Sequence, residues 1–140
     1  MTAELIGAGD PPPFETINED GGAALLLICD HASCAVPEAL GTLGLDEATI
    51  EDHIGWDIGA AALTRRLSVL LDAPAILAGY SRLLIDCNRP AQALDLVPPV
   101  ADGRPVPANQ NLGAGDIAAR REAFFDPYHD EIQYFLDEFA

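Results

Sequence analysis

The chain has 140 residues, enough for one domain built around a single hydrophobic core. Hydrophobic residues make up 49% and charged residues 21%, a balance that excludes a disordered chain. The net charge is −16, with seven arginines and no lysine, so the surface repels phosphate backbones and anionic lipid and excludes nucleic-acid and membrane-surface roles.

Residues 1–22 are rich in Gly, Pro and acids, and Pro11-Pro12-Pro13 predicts an extended N-terminal arm. The opening "MTAELIGAGDPPPF" has no basic segment and carries Glu4 and Asp10, which does not fit a secretory signal. Residues 23–140 then read as a single α/β domain. The run "AALLLIC" at 23–29 is apolar on both faces and predicts a central strand of a covered sheet. Asp46 before "EATIEDHI" predicts a helix N-cap with acids in the first turn. In "WDIGAAALTRRLSVLL", Leu63, Leu67, Leu70 and Leu71 recur at helical spacing, predicting a helix over 56–71. Two short apolar runs follow, "AILAG" at 75–79 and "RLLIDC" at 82–87, both read as strands. Strand, helix, strand, strand in that order predicts an α/β sheet flanked by helices. Residues 90–116 have no period and five prolines, a loop long enough to be either functional or disordered. From Ile117 onward the pattern is helical, with Pro127 bending or restarting it.

Three cysteines, at 29, 34 and 87, contain no C-x-x-C pair, which argues against a disulfide framework and fits a reducing, cytoplasmic setting. With no nearby cation to favour the thiolate, they read as small core residues. His31 follows a buried strand, the usual place for ligands in open α/β sheets, although a surface histidine bonded to a turn would look the same. Asp30 beside it would either orient the imidazole or lie on the other side of the sheet. His53 and Asp57 are four apart, on one face only if a single helix runs through Gly55. In "YSRLLIDCNRP", alternation places Asp86 and Asn88 on one face. Arg89 supplies a fork suited to a carboxylate, or else a partner for Asp86 that fixes the turn. His129 in "DPYHDEI" reads as a half-buried helix residue. The "GAGD" pieces at 7–10 and 113–116 lack the lysine and the context of a phosphate loop.

Taken in order, "CDHASCAVP", "DHIGWDIGA", "YSRLLIDCNRP" and "DPYHDEI" resemble the N-formylglutamate amidohydrolase family, over about Ala24 to His129. That family is similar to the zinc carboxypeptidases and aspartoacylases. The resemblance implies an α/β fold of the phosphorylase/hydrolase-like kind, with a mixed sheet flanked by helices. It also implies a zinc-dependent amidohydrolase acting on an N-formyl or N-acyl acidic amino acid. By resemblance His31 matches the first zinc ligand, and Asn88-Arg89 match a pair that grips a substrate carboxylate, with Arg82 assisting. The wider superfamily has a Glu three residues after the first His, where this chain has Cys34. Asp57 is therefore expected as the second ligand, with Cys34 and Glu38 as alternatives behind it. Family members continue with a strand ending in His-Ser that supplies the last ligand. On this reading the domain is the front portion of the fold, incomplete at its C-terminus. It is expected not to hydrolyse N-formylglutamate alone, and to self-associate through an exposed sheet edge. The rival readings are a shortened paralogue that binds an acidic amino acid without hydrolysing it, and an interaction module that completes its sheet with a partner chain.

Overall fold

The structure is a computed structural model that describes residues 4–139. Its sheet has three strands, β1 (Phe14–Ile17), β2 (Leu27–Cys29) and β3 (Ala75–Ala78), in the order β1-β3-β2. The sheet is mixed: β1 runs antiparallel to β3, pairing Phe14 with Ala78, and β2 runs parallel to it, pairing Leu27 with Ala75. Every residue of β3 is buried, as a strand covered on both faces requires. The central position expected of residues 23–29 thus belongs to β3. In the described sheet β2 is an edge, and the Ile28 side chain is 49% exposed.

The N-terminal segment is extended, and it joins the sheet through β1. Gly79 N–H donates to Pro13 O at 2.9 Å, and Tyr80 Oη donates to Pro11 O, so the proline run lies against the end of β3. This approach needs a glycine, because a Cβ on Gly79 would stand 2.1 Å from Pro12 O.

Helix α1 (Glu47–Glu51) starts at Asp46, whose side chain accepts from Thr49 N–H. Helix α2 spans Ala60–Leu71, shorter than the periodicity suggested, and begins after Gly59 at φ +88°. Residues 52–59 form turns, so His53 and Asp57 do not share a helix. Against the sheet α2 sets small residues: Ala60 and Ala61 pack with Cys29, Ala32, Ala75 and Leu77. Thr64 and Ser68 are its buried positions, and their hydroxyls donate to Ala60 O and Ala73 O. The leucine stripe that announced the helix points elsewhere, with Leu63 and Leu70 60% and 63% exposed.

The expected strand at 82–87 does not form. Ser81 O accepts from Leu84 N–H, Ser81 Oγ from Leu83 N–H, and Asp86 Oδ1 from Asn88 N–H, so local side-chain and turn bonds replace a ladder. The alternation argument for Asp86 and Asn88 falls with it: Asp86 is buried and Asn88 is exposed. Residues 90–116 are also organised. A hairpin joins β4 (Val100–Ala101) to β5 (Arg104–Pro105) through Asp102 and Gly103, both at positive φ. Leu96, Val97 and Val106 are buried in the larger core beside Leu83, Leu84 and Phe124. Arg120, buried at the end of α3 (Ala114–Arg120), donates to Leu84 O at 2.9 Å and Asn109 Oδ1 at 2.7 Å, tying this loop down. A π-helical turn, Arg121–Phe125, separates α3 from α4 (Asp126–Phe139). Pro127 explains the break, since it has no N–H to continue the ladder.

Replacing Gly79 by Ala is expected to cost about 1–3 kcal/mol, because the proline run must move away from β3. A lowered urea midpoint with an unchanged slope is the measurement.

Candidate active site

His31 lies just past the end of β2, 6% exposed, with a carboxylate on each ring nitrogen. Asp86 Oδ1 is 2.6 Å from Nε2, and Asp57 Oδ2 is 3.2 Å from Nδ1. Asp57 is carried by the turn before α2 and held there by its own N–H, which donates to His31 O at 3.0 Å. Arg82 closes the ring, its guanidinium 3.2 Å from Asp86 Oδ2 and 3.4 Å from Asp57 Oδ1.

The electrostatics follow from burial and pairing. Burial by itself lowers the His31 pKa. The hydrogen bond and charge of Asp86, with help from Asp57, outweigh both burial and Arg82, and the net shift is upward. For Asp86 burial works in the upward direction. It is overcome by the His31 bond, the Asn88 N–H and the charges of His31 and Arg82, and the net shift is downward.

Beyond Asp86 and Arg82 a cleft of about 340 Å³ opens toward Arg89, Asp95, His53 and Asp102. Arg89 Nε donates to Asp95 Oδ2 at 3.1 Å, so its turn partner is Asp95 and not Asp86. At the far wall His53 Nε2 meets Asp102 Oδ2 at 2.8 Å, which joins the hairpin tip to the turn before α2.

The donor set can be tested for a metal. Two donors each about 2.0–2.1 Å from a tetrahedral zinc stand roughly 3.3 Å apart. The 3.2 Å between His31 Nδ1 and Asp57 Oδ2 fits that spacing. Asp86 on Nε2 has the place of the carboxylate that commonly orients a ligating histidine. Among the described residues no group of three or more His, Cys, Asp or Glu side chains is arranged to hold a metal. The fit therefore covers two corners of a site.

The profile of the N-formylglutamate amidohydrolase family matches residues 23–140. The chain belongs to this family. The crystal structure of gene product Atu2144 from Agrobacterium tumefaciens superposes with a TM-score of 0.93 and 31% identity, over 96% of this chain and 53% of that one. The chain thus spans about half the length of that protein. No curated protein matches the sequence.

In this amidohydrolase-family chain the structure brings His31, Asp57 and Arg82 together, with Arg89 along the cleft. Asn88 is exposed beside Arg89. Cys34 and Glu38 lie apart: Cys34 lines a separate small hollow with Val36, Thr42 and Ile50, and Glu38 opens an exposed 3₁₀ turn. His129 Nε2 bonds Cys87 O at 2.9 Å, and its ring packs on Phe125 and Tyr128, a structural post below the site. Asp30 accepts from Tyr128 Oη at 2.5 Å, so it anchors α4 and does not orient His31. All three thiols are free and shifted upward by burial, Cys87 to about 12, which suits core residues better than nucleophiles. The orienting carboxylate, Asp86, has no role at the metal in the sequence reading, which places it only as an alternative turn partner of Arg89. Its position at the end of an apolar run was the available signal.

Asp86→Ala leaves the buried Nε2 of His31 without its partner and is expected to cost about 3–5 kcal/mol. Asp57→Ala, at a half-exposed position, is expected to cost less than about 1 kcal/mol. Urea denaturation of the two variants against wild type checks the contrast.

Proposed function

We propose that the chain carries the metal- and carboxylate-binding part of a zinc amidohydrolase centre that acts on an N-formyl or N-acyl acidic amino acid. One observation carries the reading. His31 is clamped at Nε2 by buried Asp86 while Nδ1 faces Asp57 at a spacing that suits two ligands of one ion. His31 and Asp57 would hold the zinc, and Asp86 would fix the tautomer and direction of the imidazole. With Nε2 held by Asp86, Nδ1 would be the nitrogen offered to a metal, and protonation of His31 there would oppose its binding. When bound, zinc supplies Lewis-acid polarisation of an amide carbonyl and a nucleophilic water near neutral pH.

The chain's own residues supply the rest. Arg82 reaches both carboxylates of the cluster and brings positive charge to the mouth of the cleft, where an oxyanion or an acidic side chain would be stabilised. Arg89, with Asn88 beside it, can exchange Asp95 for a substrate carboxylate, since the Arg89–Asp95 pair is solvent-exposed and weakly held. Arg82 and Arg89 share the cleft with Asp86, Asp95 and Asp102, so the preference for an acidic substrate rests on the exchange of Asp95 at Arg89 and not on the charge of the cleft as a whole.

A second reading rests on the same ligand count. With two corners of a site among the described residues, the chain on its own binds and does not turn over. Purified protein is then expected to take up zinc and to release no formate from N-formylglutamate. Steady zinc-dependent formate release, lost in His31→Ala, would overturn this second reading and leave the first.

For the metal itself, His31→Ala is expected to abolish zinc uptake in equilibrium dialysis, and Asp86→Asn to weaken it about 10–100-fold. His53→Ala should leave it unchanged. Unaltered uptake by His31→Ala removes the site assignment. For the substrate, Arg89→Lys should weaken binding of a diacid by about 1.5–3 kcal/mol in calorimetric titration, and of its monoamide by less. Equal losses for both would mark Arg89 as a partner of Asp95 alone.

A further inference from the structure

The hairpin of β4 and β5 walls one side of the cleft with Val100, Ala101 and Asp102. Its two ends are held very differently. At the base, Val106 is fully buried and its N–H donates to Pro99 O at 2.9 Å. The side-chain amides of Asn109 and Gln110 donate there too, to Pro98 O at 2.8 Å and Pro99 O at 2.7 Å. At the tip the restraint is slight. Among the described residues, one hydrogen bond or ion pair joins residues 100–105 to the rest of the chain, that of Asp102 Oδ2 with His53 Nε2 at 2.8 Å. A short ladder anchored at its base and tied once at its tip is built to swing.

The tie is made of groups that titrate. His53 lies between two carboxylates, with Asp52 Oδ1 3.2 Å from Nδ1 and Asp102 Oδ2 2.8 Å from Nε2. A protonated ring donates from both nitrogens and satisfies both acids. A neutral ring has one N–H, and its bare nitrogen then faces a carboxylate. Asp52 and Asp102 also become like charges on either side of an uncharged group. The other charged groups nearby are Arg104 on the hairpin, Arg82 and Asp86 on the cleft floor, and the Arg89–Asp95 pair across the opening. The bonds to Asp102 and Asp52 hold the His53 pKa above its ordinary value. A raised pKa means that the tie is complete below the ordinary histidine pKa of about 6.5 and is lost as pH rises through the raised value. Both partners are more than half exposed, so the pair adds little to the stability of the fold. Restraining the tip of a short hairpin requires little.

We propose that the hairpin is a flap over the cleft, clasped by Asp102 while His53 is protonated and released when His53 is neutral. The structure shows the clasped form, in which Ile54 and Leu83 on the cleft lining are 5% and 1% exposed. Release widens the cleft from the hairpin side and brings solvent to these two side chains. Acid thus narrows the entrance and alkali opens it, whichever ligand the cleft takes.

Methyl NMR with a neutral gadolinium chelate as solvent probe reads the flap directly. From about pH 5.5 to about pH 8.5, relaxation enhancement at the Ile54 and Leu83 methyls is expected to rise at least about twofold. The midpoint should coincide with the titration of the His53 ring protons. The methyls of Ile76, fully buried in the sheet, should not respond. His53→Gln keeps an N–H for Asp102 and cannot titrate, so the response is expected to flatten. Asp102→Asn should lower the pH at which His53 titrates and expose both methyls already at about pH 5.5. Unchanged urea midpoints confirm that each variant keeps its fold. Enhancement that stays flat in the wild-type chain overturns the proposal. A response that survives His53→Gln places the titrating group in the His31 cluster and overturns it equally, as does a His53 titration that Asp102→Asn leaves unmoved. Zinc uptake through His31 is a separate measurement, and none of these results decides it.

Discussion

A histidine and an aspartate at 2.6 Å, both almost wholly removed from water, set the terms for everything around them. Burying either alone would cost several kcal/mol, and their mutual charge offsets this only if the remaining hydrogen-bonding atoms are also satisfied. The surroundings do that. Asn88 N–H covers Asp86 Oδ1, Arg82 covers Oδ2, and Asp57 takes the other imidazole nitrogen. To deliver these partners, the chain after Ser81 must turn and not run straight, and the chain before α2 must fold back on His31. The irregular backbone at 81–89 and the turns at 52–59 are consequences of that requirement.

Much of the framework was legible because it depends on local chemistry. Asp46 capping Thr49 N–H, a helix ending at Leu71, and a break around Pro127 all follow from backbone donors that need partners or have none. The resemblance also pairs His31 with Asp57, and the structure brings the two into contact; the single helix on which His53 and Asp57 would share a face does not form. The misreadings share one cause. Periodicity reports that a side of an element is apolar and not what that side meets. The leucines of α2 identify the helix yet lie largely on its exposed side, and the apolar run at 82–87 is core without being strand. The hairpin at 100–105 had its own signal, Asp102-Gly103, the dipeptide that favours two successive positive φ angles, and a loop rich in proline concealed it.

The separation of duties within the motifs is also informative. In "CDHASCAVP" adjacent side chains serve opposite sides of the sheet: Asp30 holds Tyr128 of α4, while His31 faces Asp57 and Asp86. In "LIDCNRP" Asp86 turns inward, Cys87 O receives His129, and Arg89 faces solvent. Short motifs of this kind are dense because each residue closes a different contact, so substitutions one position apart are expected to act on unrelated properties.

Arg120 shows what such density means over a range of conditions. It lies buried with its guanidinium against Leu84 O and Asn109 Oδ1, and desolvation lowers its pKa. A guanidinium nonetheless stays protonated throughout the range in which proteins are handled. The acceptors it meets here are a carbonyl and an amide, neither of which titrates. The rivet between the long loop and α3 is thus indifferent to acid and alkali alike, whereas the cluster around His31 is held by the opposite charges of His31 and Asp86, each of which shifts the other's pKa. One protein carries a fixed joint and an adjustable one side by side, and only the second can sense its medium.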